Sequence, residues 1–110
     1  MEAFVKGDIV IFPFPYTDLS NTKMRPCLVL SDEMREDVLL CQITSKNSIK
    51  DNYVIELKKG ETDCGSLMID SYIRTNMLFT ASKHQIIKIV CKLKKQKYAE
   101  VVEKVIEIIK

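Results

Sequence analysis

Residues that ligate metals are scarce in this sequence and poorly spaced. Histidine occurs once, at His84, and the four cysteines, Cys27, Cys41, Cys64 and Cys91, form no Cys-x-x-Cys pair. Zinc sites are built from closely spaced ligand pairs, so no metal and no other cofactor is expected. Long apolar runs are missing as well. The longest, residues 9–16, is interrupted by Pro13 and Pro15 and falls far short of the roughly 20 residues that a membrane-spanning helix needs. The first residues, Met-Glu-Ala-Phe-Val-Lys-Gly-Asp, hold no apolar stretch leading to a cleavage site. The expectation is a cytoplasmic protein without membrane contact, whose thiols stay reduced. A large charge excess is lacking too: the formal net charge is +2, which does not by itself mark a nucleic-acid binder. No internal repeat or low-complexity segment is present.

What remains describes one folded domain over residues 1–110. An apolar fraction of 46% and a charged fraction of 29% are those of a globular chain. Its length suffices for one core without staples. Residues 9–14 are β-branched and aromatic and end at prolines, which predicts a strand. Residues 16–24 are mostly polar and read as a loop. Residues 26–30 form a continuous apolar run, a strand buried on both faces. Residues 31–37 read as a turn, 38–44 as the next strand and 45–52 as a second polar loop. Residues 53–57 alternate, with Tyr53, Ile55 and Leu57 facing one way. A loop over 58–65 leads to short strand pieces at 66–69 and 71–74, with a bend near Asp70, and a last strand follows at 86–93. Cys27, Cys41 and Cys91 lie inside apolar runs and read as buried, whereas Cys64, beside Gly65, reads as exposed.

Tyr98, Val101, Val102, Val105, Ile106 and Ile109 recur at three- and four-residue spacing, so residues 94–109 are predicted to form an amphipathic helix. No Ser, Thr, Asp or Asn caps its start, and Lys94, Lys95 and Lys97 oppose its dipole there. Packing of the apolar stripe must therefore hold it. Together with Lys83, Lys88 and Lys92, these lysines form either a solvated face or a basic patch. The fold class is mainly β with a C-terminal α-helix (α+β). Many short strands followed by one helix fit a small SH3-like barrel of antiparallel strands.

Several segments occur in a telling order: Gly7-Asp8-Ile9-Val10, the run Pro13-Phe14-Pro15-Tyr16-Thr17-Asp18-Leu19-Ser20, then Arg25-Pro26 and Leu28-Val29-Leu30-Ser31. With Ile43-Thr44 after a buried strand, Ile73-Arg74-Thr75 and the terminal helix, they resemble the MazF/PemK family of bacterial toxins over nearly the whole chain. The resemblance implies an SH3-like barrel with appended helices, a homodimer and silencing by a cognate antitoxin protein. It further implies a sequence-selective, metal-independent endoribonuclease acting on single-stranded RNA (mRNA).

The resemblance makes Arg25 and Thr44 the catalytic pair. Cleavage without a metal uses the RNA's own 2′-hydroxyl against the adjacent phosphate, and a guanidinium offers forked donors to the oxygens on which charge builds. Arginine stays protonated, so Arg25 stabilises charge and does not serve as a base. Tyr16, Thr17, Lys23, Ser45, Lys46, Asp70 and Arg74 are expected to bind substrate, and Lys50 and Phe14 flank them. Arg74 has a second reading, an ion pair that pins a strand end, and His84 lies outside the matched segments. The PemK branch usually carries an acid two residues before the Ile-Arg-Thr or Pro-Arg-Thr piece, in an Asp-Gln pattern; here Ser71-Tyr72 stand there, with Asp70 the nearest acid. Two rival readings share the fold: a toxin that binds DNA gyrase and cuts nothing, and a non-catalytic RNA-binding module.

Overall fold

The computed structural model describes residues 3–15, 21–46 and 51–110. In chain order these form β1 (Asp8–Pro15), β2 (Thr22–Val29), β3 (Asp37–Thr44), β4 (Val54–Leu57), β5 (Thr62–Asp63), β6 (Ser71–Ser82) and β7 (Lys88–Leu93). A 3-10 turn, Lys83–Gln85, links β6 to β7, and α1 (Lys95–Ile109) ends the chain. The strands make one antiparallel sheet in the order β4-β6-β3-β2-β1-β7-β5. It is a half-barrel with a C-terminal helix, the architecture expected from the strand pattern.

Apolar residues cover both faces of the central strands, which is why those strands read as unbroken apolar runs. On one face Ile9, Leu28, Cys41, Ile43, Ile73, Cys91 and Val101 form a core that the helix closes with Tyr98 and Val105. On the other, Val10, Phe12, Cys27, Val29, Val38 and Leu40 pack with Phe4, Phe14 and Phe79. Phe12, Phe14 and Phe79 meet edge to face at 5.3–5.4 Å between ring centroids. The helix start is Lys94, with no side-chain cap. Lys97 turns to Glu61 at 3.2 Å and Lys83 to Glu33 at 2.9 Å, while Lys92 reaches the fully buried Asp8. Much of the lysine-rich segment is thus absorbed into ion pairs of the fold.

Three elements depart from the pattern-based expectation. β2 begins at Thr22, so the polar residues Thr22 to Met24 are strand and not loop. They extend because Pro15, Phe14 and Pro13 of β1 stand opposite them. β1 itself runs through its prolines: β7 pairs with it only from Asp8 to Ile11, so Pro13 and Pro15 lie where that side of the strand has no neighbour among the described residues to receive an N–H. Residues 66–69 are irregular, and β6 instead runs twelve residues, through Ser82. Its burial alternation breaks at Asn76 and Met77, which hid its second half.

All four cysteines are free, and only Cys64 is exposed. Burial pushes the Cys27 and Cys41 thiols up to about 12. A thiol reagent at pH 8 should therefore titrate one cysteine rapidly in the native protein and the other three only after denaturant is added. Rapid reaction of more than one would show that the strands around Cys27 and Cys41 open readily.

Candidate active site

The β2–β3 ladder runs from Val29↔Leu40 to Cys27↔Gln42 and stops there. The next residue of β2, Pro26, has no N–H to give. Two residues further along each strand, Arg25 and Thr44 stand on opposite sides of the mouth that opens between the strands. Strand alternation puts Arg25 on the same face as Cys27 and Val29. Its positive charge acts on the Cys27 thiol from there, against the effect of burial.

A cavity of about 260 Å³ occupies this mouth. Lys23, Arg25, Thr44 and Ser45 contribute to its polar lining, and Met24, Leu67, Met68 and Ile69 to its apolar wall. Met24, Met68 and Ile69 are exposed, Met68 to 86%, so the wall is open to solvent. Thr44 is buried, and its hydroxyl oxygen accepts the Lys46 N–H at 3.1 Å. That bond leaves the hydroxyl proton free to be donated. Arg25 and Lys23 make no side-chain hydrogen bond or ion pair with another described residue.

Two larger cavities hold different chemistry. One of about 500 Å³ is lined by Phe4, Ile87 and the Glu33–Lys83 pair, and one of about 680 Å³ by Tyr53, Asn76 and the Lys104–Glu107 pair. The hydrogen bond from Lys83 holds the Glu33 carboxyl below its ordinary range and raises the Lys83 ammonium above its own. These charges are already matched. The smaller cavity is the one that gathers unmatched cations around a hydroxyl.

The remaining predicted residues are spread around it. Ser45 lines the cavity and Lys46 is exposed beside it. Asp70 is exposed between two lining residues, Ile69 and Ser71, without lining the cavity itself. Arg74 lies deeper along β6, where its Nη1 donates to Gln42 Oε1 at 3.3 Å. Its Nε is buried without a hydrogen bond among the described residues, and no carboxylate there pairs with it. Tyr16, Thr17 and Lys50 lie outside the described residues. His84 pairs with Glu36 in the turn after β6, next to the Asp37 end of β3. The length of β3, roughly 20 Å, separates it from Thr44.

Sequence reasoning did not set Tyr72 and Glu56 beside Thr44. The β3–β6 register pairs Thr44 with Tyr72, and the β4–β6 register pairs Tyr72 with Glu56. No local pattern announces this row, because it depends on a register shift in β6. Carried on from Cys41↔Leu78 without the shift, Thr44 would face Thr75; the shift between Cys41 and Ile43 brings Tyr72 there instead.

Solved structures share this half-barrel with its C-terminal helix. The fold matches a MazE–MazF complex from Deinococcus radiodurans with a TM-score of 0.81 at 15% identity, over 99% of this chain and 97% of that one. It also matches an endoribonuclease in complex with its cognate antitoxin from a mycobacterial species, at 0.73 and 10% identity, over 93% and 90% of the two chains. Comparison with curated proteins finds no significant match. Residues 5–109 match the family of PemK-like, MazF-like toxins of type II toxin–antitoxin systems, and the chain belongs to that family.

Proposed function

We propose that the protein is an endoribonuclease that cuts single-stranded RNA at the cavity between β2 and β3, without a metal. The observation that carries this is the pairing of an unmatched guanidinium, Arg25, with a buried hydroxyl, Thr44, across an open strand mouth. A phosphate seated there receives the Arg25 fork on its non-bridging oxygens and the Thr44 proton on a third position. As the 2′-oxygen bonds to phosphorus its proton passes to water, the P–O5′ bond breaks, and the leaving 5′-oxygen takes up a proton to give a 5′-hydroxyl beside the 2′,3′-cyclic phosphate. Charge grows on the non-bridging oxygens, and donors held in place stabilise it more than they stabilise the ground state. The exposed Met24, Met68 and Ile69 wall receives the apolar faces of the bases, and Lys23 and Lys46 hold flanking phosphates.

Its partners are a cognate antitoxin that silences it and a second copy of the chain. The exposed Ile106, Ile108 and Ile109 on α1 give that copy an apolar surface to cover.

The test is incubation of the purified protein with a long RNA in excess EDTA, followed by analysis of the new ends. Cleavage leaving 2′,3′-cyclic phosphates is expected. Intact RNA, or cleavage that appears only when a divalent metal is restored, rejects the reading.

A further inference from the structure

We infer that Tyr72 and Glu56 form a base-binding subsite beside Thr44, in which Tyr72 stacks on one base and Glu56 selects its edge. The inference deepens the proposed function and rests on it. Glu56, Tyr72, Thr44 and Arg25 stand on four neighbouring strands, β4, β6, β3 and β2. Directly paired residues in an antiparallel sheet project to one face, with Cβ atoms about 5 Å apart. Tyr72 is therefore one strand spacing from the hydroxyl proposed to hold the phosphate. That is the separation at which a nucleotide places its base beside its own phosphate.

The side chains are free for this task. Tyr72 is half-buried and Glu56 is exposed. Neither makes a side-chain hydrogen bond or ion pair with another described residue. Asp8, Glu33, Glu36 and Glu61 are matched by lysine or histidine, whereas Asp70 beside the cavity, like Glu56, pairs with no described residue. An unmatched carboxylate on a face meant for RNA repels phosphate, so its presence calls for a favourable contact. A carboxylate only accepts hydrogen bonds. The base edge that suits it best carries two adjacent N–H donors, and guanine's Watson–Crick edge does. Stacking itself tolerates any base, because every base has a π-face. The division of labour follows: Tyr72 supplies affinity and Glu56 supplies preference.

The experiment uses a pool of short random-sequence RNAs with 2′-fluoro groups, which lack the attacking hydroxyl and stay intact. Wild-type protein is expected to bind the pool, with guanine enriched at one position of the retained sequences. Tyr72→Phe should bind as wild type does, and Tyr72→Leu should bind between about fivefold and about a hundredfold more weakly. Glu56→Gln should keep its affinity for the pool as a whole and lose the guanine enrichment. Equal binding by Tyr72→Leu and Tyr72→Phe overturns the stacking role, and an unchanged preference in Glu56→Gln overturns the selecting role. Should Tyr72→Leu fail to fold, Tyr72→Met takes its place against Tyr72→Phe for the stacking role, and Glu56→Gln, at an exposed position, decides the selecting role. Failure of the wild-type protein to bind any of the pool rejects RNA as the ligand altogether, an outcome distinct from the variant results.

Discussion

Alanine in place of Arg25 should lower the rate of RNA cleavage by roughly a hundredfold to a thousandfold, with little change in thermal stability. The size comes from removing a preorganised donor at developing charge, worth about 3–4 kcal/mol. Stability should shift by no more than about 1 kcal/mol, because Arg25 is only half-buried and its guanidinium holds no described partner. Arg25→Lys should recover only part of the rate, since an ammonium presents a point charge and lacks a fork. Thr44→Val, which keeps shape and removes the hydroxyl, should also slow cleavage, and it costs the Lys46 N–H its acceptor. Single-turnover assays beside thermal melts separate the two effects. A rate in Arg25→Ala equal to that of wild type would remove Arg25 from the chemistry, whereas no cleavage by the wild type would favour a toxin that acts by binding.

Leu28→Ala should be the most destabilising of the single changes considered, by about 3–5 kcal/mol. Leu28 is fully buried, stands between Ile9 of β1 and Cys41 of β3, and lies in the core that α1 closes. Its truncation removes transfer free energy and leaves a cavity that neighbouring strands, tied by ladder bonds on both sides, are unable to fill. For a protein whose total stability is of order 10 kcal/mol, that is a large share. Urea denaturation should show a lower midpoint with an unchanged slope. Loss below about 1 kcal/mol would mean that the β1–β2–β3 core is loosely packed. Cleavage per folded molecule should survive, since Leu28 does not line the cavity.

The two predictions separate what holds the sheet from what uses it, and the same division runs through the legibility of the chain. The central strands were readable because both of their faces are buried, so apolar residues run without a break through Cys27, Leu28 and Val29. The helix was readable from its periodic stripe, and its missing cap from Lys94. Arg25 and Thr44 were readable only through the order of several short motifs. The strand character of Thr22 to Met24 was not, because polar residues favour turns unless a partner strand claims their backbone, and β1 does. Nor was the second half of β6, whose alternation breaks at Asn76 and Met77.

By itself, then, the sequence determined the strand-rich class, the terminal helix and the buried cysteines. Each of these rests on local composition or on a period that a short window contains. The tertiary structure decided which residues meet. Ending the β2–β3 ladder at Cys27 and Gln42 opened the mouth in which Arg25 and Thr44 stand opposed. A shift of register in β6 then set Tyr72, and through it Glu56, beside that mouth. Register is a relation between strands far apart in the chain, fixed by the whole sheet's packing, and no stretch of sequence carries it alone.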